Sequence, residues 1–254
     1  MNRIENALNN GKKNLITFVT GGDPNIETTK KLIHAMAEAG SALIEIGIPF
    51  SDPVAEGPVI QSANERALLA GTTTDSLFEM VKELRTEIEV PMVFLTYINP
   101  IYAYGKERFF ARCKDCGVDG VIVPDLPYEE KDEIEEECAK YGVSRIPLIA
   151  PTSGDRVRKL ATGASGYIYV VSSLGVTGVR KTYANNLDEI VENIKSVSDT
   201  PVAIGFGISD KESAEKMWGI ADNIIIGSAI VRIVEQYGEE SPSHVGEYVK
   251  GILG

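Results

Sequence analysis

The fold this sequence predicts is α/β: a (β/α)8 TIM barrel forming one domain over residues 1–254, with an N-terminal capping helix. Three observations predict it. A short β-branched run, a turn containing Gly or Pro, and a polar–apolar helical stretch recur along the chain until eight strands have been placed. No linker or low-complexity stretch interrupts that alternation. The length, 254 residues, is one that α/β barrels commonly reach with a single core. The competing architecture, a doubly wound open sheet, carries a glycine fingerprint after its first strand, and Thr20-Gly21-Gly22-Asp23-Pro24 is not G-x-G-x-x-G.

The elements follow in order. A helix near residues 4–9 is expected to cap the bottom of the barrel. Apolar, β-branched runs predict strands at 15–20, 43–47, 92–96, 120–123, 145–149, 167–171, 202–205 and 223–226. Val90-Pro91 and Thr200-Pro201 punctuate two strand entries. Between the strands, apolar residues at helical spacing predict helices at 28–39, 76–87, 107–116, 129–141, 155–160, 187–197 and 211–217, with a short one at 229–235. Gly40, Gly117 and Gly142 stand where helix C-caps belong.

Composition narrows the partners. Lys and Arg number 25 against 37 Asp and Glu, a net charge of −12. That acidity argues against nucleic acid and anionic membrane surfaces, and an anionic substrate needs local donors to be held. No run of about 18 apolar residues is present, and the N-terminal residues lack the pattern of a signal peptide. Three cysteines suggest a reducing, cytoplasmic location. Cys113 and Cys116 form a C-x-x-C at a helix end, but no second pair and only two histidines, His34 and His244, accompany them, so structural thiols and no metal site are expected.

Two regions carry chemistry. The first runs from Leu43 to Pro58, where Glu45 stands inside an apolar strand and Glu56 in a loop with three prolines. A carboxyl buried without a charge partner shifts its pKa upward and can then exchange protons near neutral pH. A solvated or Lys-paired Glu at a strand end is the alternative. In a barrel of this class the active site lies at the C-terminal strand ends. Those ends present Phe18 and Thr20, Glu45 and Gly47, Thr96 and Tyr97, Pro124 and Asp125, and Tyr169. The second region is a series of glycine turns: Gly175-Val176-Thr177-Gly178 after strand six, Gly205-Phe206-Gly207 after strand seven, Gly227-Ser228 after strand eight. Glycine lets backbone N–H groups approach an anion, and a helix N-terminus adds partial positive charge. Ordinary tight turns are the alternative; three in series favour a phosphate monoester. Ser228 is expected to cap the following helix. No P-loop Lys is present, which argues against a nucleoside triphosphate.

On these motifs, together with 18–24 and Pro124-Asp125-Leu126-Pro127, the chain resembles the α subunit of bacterial tryptophan synthase, the segment Glu45-x-Gly-x-Pro-Phe-Ser-Asp-Pro being the most specific. The resemblance implies a lyase that splits indole-3-glycerol phosphate by a retro-aldol step into indole and glyceraldehyde 3-phosphate, with no cofactor in this chain. By the same matching, Glu45, Glu56 and Tyr169 are the catalytic candidates. Glu45 is the acid/base, and Glu56 accepts a hydrogen bond from the indole N–H. Phe18, Ile60, Ile122, Tyr169 and Phe206 line the indole pocket, and Gly178, Gly207, Gly227 and Ser228 hold the phosphate. Thr20, Tyr97 and Thr177 complete the substrate site. Asp52, Pro53, Asp125 and Pro127 face a β subunit, which carries pyridoxal phosphate and receives indole in an αββα assembly.

The chain departs from the family's pattern at Glu56, where the resemblance implies Asp, and before Gly175, where it implies Arg but Ser172-Ser173-Leu174 stands. Arg180 and Lys181 are read as solvated. An additional methylene moves a carboxylate by roughly 1 Å, a displacement that can cost on the order of 100-fold in rate. Two alternatives remain: a stand-alone lyase, against which Glu56 argues, and a catalytically weak subunit that activates its β partner, which Glu56 makes worth carrying.

Overall fold

The computed structural model describes residues 2–150, 153, 156–171, 187–205 and 207–254. Its strands are β1 (Asn14–Thr20), β2 (Leu43–Gly47), β3 (Met92–Leu95), β4 (Gly120–Ile122), β5 (Ser144–Arg145), β6 (Leu148–Ile149), β7 (Ile168–Val171), β8 (Val202–Gly205) and β9 (Asn223–Ile226). All pairings are parallel, in the order β5-β4-β3-β2-β1-β9-β8-β7-β6.

The two ends of that order are consecutive in sequence. β5 and β6 are halves of one strand position, parted at Ile146-Pro147. Ile146 N–H still reaches the Val121 carbonyl at 2.9 Å, and the Pro147 carbonyl accepts from Tyr169 N–H at 3.0 Å. The sheet therefore closes as a barrel of eight strand positions. The single strand expected at 145–149 is broken because Pro147 has no N–H to donate.

Side chains alternate across the barrel wall. Ile16, Leu43, Val93, Ile122, Tyr167, Tyr169, Ala203 and Ile225 fill the interior, where Ile4 and Leu8 of α1 (Arg3–Leu8) plug the bottom. Leu15, Val19, Ile44, Ile46, Met92, Phe94 and Val121 face outward and pack on the helices. Strands buried on both faces explain why the apolar runs were continuous rather than alternating.

The helical layer contains α2 (Ile26–Glu38), α3 (Pro58–Leu69), α4 (Thr74–Leu84), α5 (Ile98–Tyr104), α6 (Lys106–Cys116), α7 (Asp132–Tyr141), α8 (Val157–Ala161), α9 (Leu187–Lys195), α10 (Lys211–Trp218), α11 (Ser228–Tyr237) and α12 (Ser241–Leu253). The sequence did not predict α3, α5 or α12. Both α3 and α12 begin with Pro in the first turn, where its missing N–H costs nothing. The helix expected from 129 begins instead as a 3₁₀ turn, Tyr128–Glu130. Gly117 and Gly142 do close helices in the left-handed conformation.

Cys113 and Cys116 on α6 and Cys138 on α7 are free and buried, and burial pushes the Cys138 thiol up to about 12. Among the described residues, no helix is long and apolar enough to cross a membrane.

One part-buried cation gathers the loops at the bottom of the barrel. Arg85, at the C-cap of α4, donates to the carbonyls of Gly117 (2.9 Å), Ile88 (2.9 Å) and Val90 (2.7 Å) and to the carboxylate of Asp119 (2.6 Å). Replacing it with Ala strands those acceptors, and urea unfolding of Arg85→Ala is expected to show a loss of about 3 kcal/mol. A loss below about 1 kcal/mol would show that water replaces the guanidinium freely.

Candidate active site

Glu45 is the middle residue of β2 and, by strand alternation, points into the barrel while Ile44 and Ile46 point outward to the helices. It is 1% exposed. Its Oε1 accepts a hydrogen bond of 2.5 Å from the hydroxyl of Tyr167, itself fully buried. Burial pushes the Glu45 carboxyl from its ordinary 4.5 up to about 8, against the opposing pull of that hydrogen bond. Burial beside Glu45 also raises the hydroxyls of Tyr167 and Tyr169 well above their usual range, so both phenols stay protonated. The solvated or Lys-paired alternative for Glu45 is thereby removed.

Above Glu45 opens a cavity of about 1050 Å³. Glu45, Phe18, Leu95 and Tyr169 are among its lining residues. Glu56 and Ile60 contribute from the loop and helix after β2; Val123, Pro124 and Pro127 contribute from the loop after β4. Gly207, Gly227 and Ser228 contribute from the turns after β8 and β9. The acid/base candidate and the proposed phosphate turns thus share one chamber, an apolar enclosure with a few convergent polar groups.

Glu56 sits just before α3 and is half-buried. Burial raises its pKa, while hydrogen bonds from Asn64 and Tyr97 act in the opposite direction. Asn64 Nδ2 donates to Glu56 Oε2 at 2.6 Å, and Gln61 Nε2 donates to the Glu56 carbonyl at 2.8 Å. The Tyr97 hydroxyl accepts from Ala55 N–H at 3.1 Å, behind the same loop.

Gly227 is the N-cap of α11, so the first free N–H groups of that helix begin at the cavity wall. Gly207 has φ +77°, a conformation only glycine adopts without strain. Ser228 is the first helical residue and makes no side-chain cap, contrary to the expectation that it caps the helix. Its hydroxyl is thus not committed to capping. Arg232, one turn further along α11, lines the same cavity and is exposed.

Several expected positions differ. Ile122 is not on the cavity wall: it is fully buried in the layer of Tyr167 and Tyr169, and its strand is represented at the wall by Val123 and Pro124. Thr20 is likewise fully buried and not on the wall, its hydroxyl without a partner among the described residues. Tyr97 does not line the cavity, but it sits beside Glu56, near the candidate carboxylates as expected, and supports that loop. Pro127, expected at a partner surface, is exposed and also lines the cavity. Asp125 accepts from Ile98 N–H at 3.0 Å and ties the β4 loop to α5. Asp52 is exposed and bonded to the Ser51 hydroxyl, and Pro53 is half-buried. Thr177, Gly178 and Phe206, with Arg180 and Lys181, lie outside the described residues.

The sequence reading missed Tyr167, Asn64, Leu95 and Arg232. Tyr167 was the most accessible of these, since it stands two residues before Tyr169 and shares its face. Arg232 lies four residues after Ser228, on the same face of a helix already expected there.

The raised Glu45 pKa has a stability consequence. The protonated carboxyl favours the fold, so its contribution is complete below about 4.5 and is lost as pH rises through about 8. Glu45→Gln should flatten the decline of unfolding free energy across that window and be the more stable chain above pH 8. Parallel pH–stability curves for the two proteins would contradict the burial assignment.

The comparisons with known proteins agree with this geometry. The family described as tryptophan synthase alpha chain matches residues 4–250. The chain is 47% identical over 252 residues to the tryptophan synthase alpha chain of Lacticaseibacillus casei, covering 99% of this chain and 94% of that one. It is 46% identical over 251 residues to the alpha chain of Alkaliphilus metalliredigens, with the same coverage. Among solved structures, the alpha subunit of Legionella pneumophila superposes with a TM-score of 0.89 at 36% identity, covering 99% of this chain and 97% of that one. A chain of the tryptophan synthase α2β2 complex of Pyrococcus furiosus superposes with a TM-score of 0.87 at 34% identity, covering 96% and 98%. On residues 4–250 and on its fold, the chain belongs to the tryptophan synthase alpha chain family.

Proposed function

We propose that the cavity above β2 is where indole-3-glycerol phosphate is split into indole and glyceraldehyde 3-phosphate, with Glu45 as acid/base. The chain is the lyase subunit of tryptophan biosynthesis, and its partner is a β subunit. The observation that carries the assignment is the buried Glu45 carboxyl, held by Tyr167 and opening on the chamber that also receives Gly207, Gly227 and Ser228.

A carboxyl titrating near 8 is protonated at neutral pH and has a proton to give. Delivered to the indole ring carbon that bears the glycerol chain, that proton makes the ring an electron sink. The bond to the side chain then breaks as the adjacent hydroxyl gives its proton to the now ionised Glu45 carboxylate and becomes the aldehyde, which restores the neutral acid. Positive charge develops at the ring nitrogen, and Glu56 accepts its N–H, an electrostatic contribution strongest in a site shielded from water. Backbone N–H groups at Gly207, Gly227 and Ser228 hold the phosphate, which offsets the repulsion of a chain with net charge −12. Every step is a proton transfer or a polar bond cleavage, so the scheme uses no cofactor in this chain.

Indole then passes to the β subunit, where pyridoxal phosphate supplies the condensation chemistry. Asp52, Pro53 and Asp125 belong to the face turned to that partner. Three unpaired buried thiols suit a cytoplasmic location, and the complex is of αββα form.

Indole release from indole-3-glycerol phosphate, measured with the β subunit present, tests the assignment. Glu45→Gln should lower kcat by roughly 10²- to 10⁴-fold, the usual contribution of a positioned general acid. The wild-type rate should fall as pH rises through about 8, as Glu45 loses its proton. Near-normal cleavage by the variant would remove Glu45 from the chemistry.

A further inference from the structure

We propose that Asn64 is the positioning residue that makes a glutamate, with its longer side chain, usable at position 56. The inference rests on the reading of Glu56 as the carboxylate that receives the indole N–H.

Asn64 lies on α3, two turns after the loop that carries Glu56, and is 3% exposed. It follows Ile60 by four residues, so the two share a helix face: Ile60 reaches the cavity while Asn64 stands behind it. From there its amide donates to one Glu56 oxygen at 2.6 Å. The other carboxylate oxygen is left as acceptor for a ring N–H. A Glu side chain has three rotatable bonds and, at a loop edge, would otherwise sample several rotamers. The buried amide selects one of them. The backbone on the same side is also fastened, by Gln61 at the Glu56 carbonyl and Tyr97 at Ala55 N–H. Of the two side chains that bear on the carboxylate itself, Asn64 and Tyr97, Asn64 makes the larger contribution and holds one oxygen at 2.6 Å.

Two consequences separate positioning from mere packing. An amide donor favours the ionised carboxylate, so its removal raises the pH at which Glu56 gains a proton. An aspartate at position 56, shorter by a methylene, does not reach the same amide, so Asn64 should matter only when Glu is present.

The test is a double-mutant cycle in the complex with the β subunit, reading kcat and KM for indole-3-glycerol phosphate cleavage from pH 5 to 9. Asn64→Ala should lower kcat roughly 10- to 100-fold, the scale of a 1 Å misplacement, with KM changed by less than about 3-fold. The acid limb of its kcat profile should move to higher pH. Asn64→Asp, nearly the same shape but with a charge in place of the donor, should move that limb further. In the Glu56→Asp background, Asn64→Ala should cost less than about 3-fold. An unchanged kcat and acid limb in folded Asn64→Ala or Asn64→Asp overturns the proposal. So does an equal loss in both backgrounds, which assigns Asn64 to packing alone. Glu56→Gln that cleaves at the wild-type rate would instead remove the role of Glu56, a failure of the parent reading visible before any Asn64 variant is made.

Discussion

The hydrogen bond between Tyr167 and Glu45 is the interaction on which the site depends. A carboxyl at the centre of a barrel strand has no exposed state available, so it must be either a cost to the fold or a proton donor with a partner. Tyr167 supplies one hydrogen bond and no charge. Burial, only partly opposed by that uncharged donor, keeps the carboxyl neutral at physiological pH, where an arginine or lysine partner would have held it ionised and unable to give a proton. Closure of the sheet is what brings the pair together. Glu45 is on the second strand and Tyr167 at the foot of the strand that pairs with β6, on the far side of the interior.

The cavity divides the remaining labour by polarity. Its floor is carboxyl and phenol; its wall is aliphatic and aromatic; its far end consists of two glycine turns, proposed as the phosphate site, with Arg232 among the lining residues. Backbone donors in such turns are fixed by the fold and need no reorganisation when an anion arrives. In the proposed role they would let an acidic protein hold a dianionic substrate without a general excess of positive charge. The loop before α3 is the more adjustable part, because a half-buried carboxylate there relies on neighbouring side chains for its place.

The barrel was legible because strands covered on both faces leave continuous β-branched runs, and Glu45 was legible because a charge breaks such a run. Glycines at strand ends marked the turns at Gly207 and Gly227 that reach the cavity wall. What stayed hidden had specific causes. α3 and α12 open with proline, which reads as loop although the first turn of a helix tolerates it. Pro147 sits within a run that otherwise reads as one strand, and only the pairing of its two halves with different neighbours shows how the barrel closes. Ile122 and Val123 are adjacent and both apolar, so their order along the barrel axis, and hence which meets the cavity, cannot be read from periodicity. Tyr167 and Asn64 act through contacts 122 and 8 residues distant in sequence, and neither lies in a pattern that marks chemistry.

The most direct test of the central claim is a titration of Glu45 itself, by infrared difference spectroscopy between the wild-type protein and Glu45→Gln. A protonated-carboxyl C=O stretch present at pH 7 and lost with a midpoint near 8 is the expected result. A midpoint near 4.5 would mean that the barrel interior does not hold this proton, and the acid in the cleavage would have to be sought elsewhere.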